Sequence, residues 1–328
     1  MWHVVLLVAC AAAIYLSCEW FVNAVEWLGH RLNVGALAVG TILAAFGTAL
    51  PESVVTFVAV VFGRSPASKD IGVGAALGGP LVLATISYGV TGAVLLLTRG
   101  RTVKKAAPGD DRKLARDQTW FLAIFVVKVG LGLVAFAVKP WLGLLFFAAY
   151  GVYFWREIRG EGGEAEELEP LRLQPRRATP ATWAVVVQTV ATLGLIFGAS
   201  QLFVRQLDAI GPMLGIPAAI TALLLSPIAT ELPETMNAII WVRQGKSRLA
   251  LANISGAMMI QATVPSGLGL LFTPWRFDAA LLVSGLVTMA AIGYLLVLLR
   301  TRRLTARTLA PVAAFYLVFA ACLIPILA

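Results

Sequence analysis

Long apolar stretches alternate with short polar loops along the whole chain. Most stretches approach or exceed the roughly 20 apolar residues that a helix needs to cross the hydrocarbon core of a bilayer. Helices satisfy their backbone hydrogen bonds internally, so we predict an all-α polytopic membrane protein with ten transmembrane helices. The predicted spans cover residues 4–22, 34–62, 71–97, 119–138, 141–158, 183–204, 213–242, 248–272, 279–299 and 309–327.

Composition and charge agree with this pattern. Of the 328 residues, 59% are hydrophobic and 13% are charged, whereas a soluble domain carries roughly 25% charged residues. The net charge of +9 sits in the loops, where 20 of the 26 Lys and Arg residues fall on one side of the predicted membrane and five on the other. Because cytoplasmic loops hold the excess of Lys and Arg, we predict an inner-membrane protein with both termini outside. The same placement argues against a nucleic-acid partner, and the sequence indicates no oligomeric state.

The two halves of the chain are related by an internal repeat. With a shift of 182 residues, 21–52 lies over 203–234 with ten identical residues among 32, including Thr-x-Leu-Pro-Glu in both halves. Each half holds five predicted spans, so the second half enters the membrane from the opposite side, as in the inverted repeats of many secondary transporters. We predict a first repeat over 1–158, a cytoplasmic linker over 159–182 and a second repeat over 183–328.

Each repeat carries acidic residues in the middle of an apolar stretch. GTALPE at 47–52 ends in Glu52, and ATELPE at 229–234 contains Glu231 and Glu234. A charged side chain at the centre of a membrane helix costs about 2.5–3.5 kcal/mol or more, so such residues are functional by default. Glu231 leaves an alternative open, since a buried hydrogen-bond donor in place of a cation would also satisfy it.

The prolines of the two motifs add a second kind of ligand. Proline has no N–H to donate, so Pro51 should free the carbonyl of Gly47 and Pro233 that of Ala229. Carbonyl, hydroxyl, amide and carboxylate oxygens are the ligands of hard cations such as Ca²⁺. A proline kink that serves only helix packing is the structural alternative. The predicted ligands are Glu52, Glu234, Glu231, Thr48, Thr230, Gly47, Ala229 and Gln261.

Charge balance limits what this site can hold. Glu231 and Glu234 are three residues apart and would share one face of a helix, and Glu52 would bring a third carboxylate. Two carboxylates balance a divalent ion, and a third needs a second cation or a proton, because close carboxylates raise one another's pKa. The glycines at 72, 74, 78 and 79 precede Pro80 and favour either close helix packing or a second broken helix that lines the site.

GTALPE and ATELPE in inverted halves resemble the alpha repeats of the sodium/calcium exchanger family, the calcium:cation antiporters. The family motif is GTSLPE, followed one helix later by GNxxGSNxxD or a close variant. The resemblance covers the ten-span layout, the outward termini and the cytoplasmic midpoint loop. It implies that the matching Thr and Glu residues bind Ca²⁺ in competition with Na⁺, without a cofactor or an enzymatic step. It also implies alternating access by sliding of spans 1 and 6.

Several positions depart from the family pattern. The motif serine is replaced by Ala49 and Glu231, the GS serine by Gly79 and Ala257, and the polar residue four further on by Leu83 in the first repeat and Gln261 in the second. Sodium sites in the family depend on those hydroxyls. We therefore expect a divergent, bacterial-type member that moves Ca²⁺, with Na⁺ and H⁺ both open as counter-ion.

Three other hypotheses stay open at this stage. A proton-coupled exchanger of another cation would transport without Na⁺ and respond to pH. An intramembrane enzyme would need paired aspartates, a Ser/His pair or a zinc motif, and the sequence displays none of these. A non-transporting membrane scaffold that has lost the ion site would bind no ion and would tolerate Glu52→Gln.

Overall fold

The computed structural model describes residues 2–62, 66–98, 110–159, 168–215 and 221–327. Within these ranges all regular secondary structure is helical and no strand forms, which confirms the predicted all-α class. Each predicted span corresponds to a helical segment of the structure. In chain order the segments are α1 (Trp2–Arg31), α2 (36–62), α3 (66–97), α4 (Asp110–Leu133), α5 (139–159), α6 (Thr182–Met213), α7 (221–243), α8 (Ser247–Phe272), α9 (Ala279–Arg300) and α10 (306–327).

Six helices in the described part of the chain are long and apolar enough to cross a membrane. They cover Trp2–Arg31, Gly72–Leu97, Thr182–Gly211, Ser247–Phe272, Ala279–Arg300 and Ala306–Ile326. The other segments do not meet that measure; in α5, for example, the α-helical part Gly143–Arg159 has 17 residues. The count of ten crossings and the inverted relation of the halves therefore stay predictions.

Wide π-helical turns occur at matching positions of the two halves. Val39–Ala44 forms such a turn in α2 and Thr221–Leu225 forms one in α7. The shift of 182 residues that aligns the sequences carries residues 39–44 onto 221–226, so the two turns overlap. Because π turns are rare and frequently mark functional sites, their shared position supports the predicted repeat and directs attention to the Pro-Glu motifs that follow.

The two Pro-Glu motifs differ in backbone conformation. In the second half the helix stops at Glu231, whose φ of −84° and ψ of 7° separate Ser226–Thr230 from Leu232–Arg243. Pro233 is then in the first turn of the new helix, where a missing N–H is tolerated. In the first half, Ala45–Phe57 continues as one α-helix through the proline. The expected interruption is thus found in the second repeat, whereas the first repeat stays continuous.

Helix α8 lies at the centre of the bundle. It packs against α2, α3, α4, α5 and α7, and most of its residues are buried. Small residues permit these close approaches. A Cβ added to Gly256 would collide with the backbone of Thr41 in α2, so the α2–α8 contact depends on a glycine. The two motif helices α2 and α7 therefore meet the same central helix.

Helices α1 and α6 form the most extensive pair among the described elements. The described part of the predicted linker, residues 168–181, lies across one end of this pair. Leu171 is fully buried in a cluster with Ala24 and Trp27 of α1 and residues 184–185 of α6. The Asn23 side chain donates to the carbonyls of Glu169 and Pro170 at 3.4 and 3.2 Å. This half of the linker is therefore docked on the helices.

Candidate cation site

Glu231 and Gln261 form the best-defined part of the predicted ligand set. Glu231 lies at the break in α7 and Gln261 on the central helix α8, with exposed fractions of 0% and 2%. Gln261 Nε2 donates to Glu231 Oε1 over 2.7 Å. The amide that approaches the carboxylate therefore comes from another helix, and the contact holds the carboxylate against the centre of the bundle.

Gly79 of α3 forms the wall beside this pair. A Cβ added there would lie 2.5 Å from Glu231 Oε1 and 2.5 Å from Gln261 Oε1. Both oxygens therefore converge on the surface of one glycine. The adjacent Gly78 is equally close to α7, because its Cβ would lie 2.9 Å from Cγ of Pro227. Gly78 and Gly79 thus serve close packing, and the Glu231 carboxylate occupies the space that a serine at 79 would need.

Glu234 lies one turn beyond the break, with an exposed fraction of 0%. Its backbone is held from two sides. The carbonyl of Glu234 accepts a hydrogen bond from Asn253 Nδ2 of α8 at 3.2 Å, and the carbonyl of Pro233 accepts from Cys18 Sγ of α1 at 3.8 Å. The second Pro-Glu motif is consequently clamped between the central helix and one helix of the α1–α6 pair.

The two motif threonines use their hydrogens within their own helices. Thr48 Oγ1 donates to the carbonyl of Ala44, and Thr230 Oγ1 donates to that of Pro227, each over 3.1 Å. Thr48 is buried and Thr230 is half-buried. A hydroxyl oxygen that has donated its hydrogen keeps lone pairs for a further partner, so both oxygens retain the chemistry that a cation ligand requires.

The remaining predicted ligands are placed less completely. Ala229 is buried with an exposed fraction of 2%. A Cβ added to Gly47 would meet Leu193 of α6 at 3.0 Å and Phe21 of α1 at 3.1 Å, so Gly47 faces the α1–α6 pair. The backbone of Glu52 lies in α2, but its side chain falls outside the described residues. The convergence of three carboxylates therefore stays a prediction.

A hydroxyl pair that sequence reasoning missed supports the break in α7. Thr235 Oγ1 donates to the carbonyl of Glu231 at 3.0 Å, and Ser87 Oγ lies 2.7 Å from Thr235 Oγ1. Ser87 ends the π-helical turn Leu83–Ser87 of α3. The available signal was the hydroxyl residue that directly follows the Pro-Glu pair in both motifs, Ser53 in the first and Thr235 in the second.

A charged cluster joins α2, α4 and α5 away from the predicted ligands. Glu157 is buried and accepts from Lys113 Nζ and Arg116 Nη2, each at 2.8 Å, and from Thr41 Oγ1 at 2.9 Å. Asp117 precedes the predicted span that starts at residue 119. Burial and then the negative charge of Glu157 raise the pKa of Asp117 to about 7, against the opposing effect of the nearby cations.

Glu26 of α1 connects that helix to the start of α8. It is 7% exposed, accepts from Trp241 Nε1 at 2.8 Å and forms an ion pair with Lys246. Glu19, on the same helix, lies 3.6 Å from Arg172 of the linker. The acidic residues of α1 therefore hold neighbouring segments.

A family model described as sodium/calcium exchanger protein matches residues 2–158 and 183–324. The "Putative antiporter CaxA" of Alkalimonas amylolytica is 26% identical over 269 residues, which cover 80% of this chain and 79% of that protein. The "Inner membrane protein YrbG" of Escherichia coli strain K12 is 25% identical over 312 residues, which cover 91% of this chain and 88% of that protein.

Solved structures of the sodium-calcium exchanger NCX_Mj share the fold. One, soaked with 10 mM Na⁺ and zero Ca²⁺, superposes with a TM-score of 0.76 at 17% identity and covers 97% of this chain and 98% of that chain. Another, soaked with 10 mM Na⁺ and 10 mM Sr²⁺, gives a TM-score of 0.77 at 17% identity over 97% of both chains. At this identity the likeness establishes the membrane-protein architecture alone.

Proposed function

The chain belongs to the sodium/calcium exchanger protein family, and from this premise we propose that it exchanges Ca²⁺ for Na⁺ or H⁺ at a buried carboxylate site between α2, α3, α7 and α8. The family is one of transporters, so the chain is a cation antiporter of the membrane and not an enzyme. The observation that carries the finer proposal is the Glu231 carboxylate, which is fully buried at a helix break and meets Gln261 of α8.

The proposed ligands supply oxygen atoms only. Ca²⁺ takes six to eight oxygens at about 2.3–2.6 Å, from carboxylates, carbonyls, amides and hydroxyls. Both motif halves meet α8, so a cation bound between them would touch both repeats. The ligand set is the carboxylates of Glu52, Glu231 and Glu234, the hydroxyls of Thr48 and Thr230, the carbonyls of Gly47 and Ala229, and the amide oxygen of Gln261.

Exchange follows from competition at these carboxylates. Ca²⁺ and the counter-ion neutralise the same negative charges, so occupation by one lowers the affinity for the other. Alternating access would come from sliding of α1 and α6 past the remaining helices. The positions of Gly47, which faces both α1 and α6, and of Cys18, which contacts the carbonyl of Pro233, support this coupling. Movement of the pair would then change which side of the membrane reaches the motifs.

The proposed topology places both termini outside the inner membrane and the linker over 159–182 in the cytoplasm, between repeats over 1–158 and 183–328. The distribution of Lys and Arg supports it. Single cysteines at Arg177 and Arg276, in a background without native cysteines, provide the test in spheroplasts. A membrane-impermeant maleimide is expected to label position 276 and to leave position 177 unlabelled. The opposite pattern contradicts the orientation.

The proposed function is tested by ⁴⁵Ca²⁺ uptake into proteoliposomes of the purified protein, under an outward Na⁺ gradient and, separately, an outward H⁺ gradient. Glu52→Gln and Glu234→Gln are expected to abolish uptake. Glu19→Gln is the matched control, because Glu19 also lies in an apolar helix but pairs with Arg172 of the linker. Uptake driven by either gradient identifies the counter-ion. A folded protein that takes up no Ca²⁺ under both gradients refutes the calcium assignment and leaves another cation or a scaffold.

A further inference from the structure

A buried lysine lies beside the proposed cation site. Lys128 is on α4, within the predicted span 119–138, and its exposed fraction is 0%. Within the described part of the chain, no carboxylate lies within 4 Å of the Lys128 ammonium. Its Nζ donates to the carbonyl of Ala76 in α3 at 2.6 Å and lies 4.7 Å from the centre of the Phe125 ring. A carbonyl oxygen and an aromatic face are both environments that suit a cation.

Proline explains why the carbonyl of Ala76 is available. In a helix this carbonyl would accept from the N–H of residue 80, which is Pro80 and has none. The ammonium of Lys128 therefore donates to a carbonyl oxygen that lacks its helical N–H partner because residue 80 is a proline. The sequence predicts the same kind of open carbonyl at Gly47 and Ala229, where a transported cation is expected. At Ala76 the cation belongs to the protein.

The position of Ala76 brings this charge close to the carboxylates. Ala76 and Gly79 are three residues apart in α3 and lie on the same face of the helix. Gly79 is the residue on which the oxygens of Glu231 and Gln261 converge. The carbonyl that binds the ammonium thus belongs to a residue that lies roughly 4.5 Å along the helix axis from the wall of the site. A full charge about 10 Å from a bound ion in a buried environment changes ion affinity by roughly an order of magnitude.

We propose that the Lys128 ammonium is a resident cation of the exchange site, which balances one of its carboxylates. The inference rests on the proposed function. The three carboxylates of the proposed ligand set exceed the charge of one divalent ion by one, and in this proposal Lys128 supplies that charge from within the chain. It thereby takes the place of one monovalent ion, so Ca²⁺ is bound without an additional Na⁺ or proton.

A purely structural role is the competing explanation, and the chain contains an example of one. Lys139 is also buried, and its Nζ donates to the carbonyls of Val134, Pro274 and Trp275 at 2.7, 3.1 and 2.8 Å. These carbonyls lie at helix ends and in the loop between α8 and α9, outside the proposed ligand set. Lys139→Met is therefore the matched control for loss of a buried ammonium that bonds only to backbone.

The test is equilibrium ⁴⁵Ca²⁺ binding to the purified full-length protein in lipid nanodiscs, with Na⁺ as competitor, for the wild type, Lys128→Met and Lys139→Met. A third variant combines Pro80→Ala with Lys128→Met. The alanine restores the N–H that the carbonyl of Ala76 lacks, so the double variant keeps the helix bonded without the ammonium and guards against simple misfolding.

Removal of a resident cation leaves the site one charge more negative. In the double variant we expect Ca²⁺ to bind about tenfold more tightly than in the wild type, and Na⁺ competition to become steeper by about one ion. Lys139→Met should bind like the wild type. Wild-type affinity in the double variant overturns the resident cation and leaves a structural cap. Failure of the folded wild type to bind Ca²⁺ overturns the proposed function and the resident cation together.

Discussion

Substitution of Gly79 by serine offers a sharp test of the site geometry, because it restores the residue that the family carries at this position. The new Cβ would lie 2.5 Å from Oε1 of both Glu231 and Gln261, which is too close for a carbon–oxygen contact. The carboxylate and the amide therefore have to move, and their 2.7 Å hydrogen bond has to lengthen or break. A substitution toward the family sequence is thus expected to damage this particular protein.

The size of the effect follows from the interaction that is lost. A hydrogen bond to a charged group contributes about 1.5–3 kcal/mol, and a buried group left without its partner costs a similar amount. Ca²⁺ affinity should therefore fall roughly tenfold to a hundredfold in Gly79→Ser. Overpacking of a tight contact adds a loss of global stability of about 1–3 kcal/mol. Equilibrium ⁴⁵Ca²⁺ binding measures the first quantity, and thermal unfolding followed by size-exclusion chromatography measures the second.

Gly74 provides the control on the same helix. A Cβ added at Gly74 has no neighbour within 4 Å, so Gly74→Ser makes the same chemical change in open space. It should retain wild-type affinity and stability. Equal affinity in Gly79→Ser and Gly74→Ser would refute the placement of Glu231 and Gln261 against α3, since no arrangement with both oxygens at that glycine accommodates an added carbon without displacement.

Three further predictions concern the scaffold. Burial and the charge of Glu157 raise the pKa of Asp117 from 3.8 to about 7, so between these pH values the folded state holds a proton that the unfolded state has lost. Thermal stability should therefore fall as pH rises from about 4 to about 7. Asp117→Asn should flatten that dependence. Leu171→Ala should destabilise linker docking by about 2–5 kcal/mol, whereas Leu173→Ala, at an exposed position, should not, as measured by protease sensitivity of the linker. Gly256→Ala should prevent close packing of α8 on α2 and lower the yield of monodisperse protein, whereas Gly293→Ala, which has open space around its Cβ, should not.

Hydropathy predicts helix position well where loops are polar and short. The spans predicted over 248–272 and 279–299 correspond to Ser247–Phe272 and Ala279–Arg300. It fails at the end of the first span, predicted to close at residue 22, because the helix continues to Arg31. Glu26 makes that segment appear polar, although Trp241 and Lys246 compensate its charge in the fold. A sequence profile registers the cost of a charge but not the partner that offsets it.

The candidate site, too, could be predicted from the sequence only in part. The ligand chemistry follows from residue type, which predicts both Glu231 and Gln261 as ligands and leaves a buried donor open as the partner of Glu231. The structure identifies that donor as the amide of Gln261. The role of Gly79 cannot be predicted in this way, because the sequence shows only that the family serine is absent at this position. Only the packing between helices reveals that the Glu231 carboxylate fills the space that a serine side chain would take. The contact of Lys128 could not be predicted from the sequence either, since an isolated lysine in an apolar stretch does not identify the carbonyl that it contacts.

The departures from the family pattern are therefore coupled, and reversal of one alone should fail. Glu231 brings volume, which Gly79 accommodates, and charge, which the Lys128 ammonium is proposed to balance. In Gly79→Ser combined with Glu231→Ser, the steric conflict is removed but the ammonium is left in excess, so Ca²⁺ affinity should stay about tenfold below that of the wild type. Addition of Lys128→Met should recover that affinity and make Ca²⁺ uptake depend on more Na⁺ ions, measured as the steepness of Na⁺ activation in proteoliposomes. If the double and triple variants bind Ca²⁺ equally, the charge of Lys128 does not act on the site. The volume of the Glu231 side chain alone then explains why residue 79 is glycine and not serine.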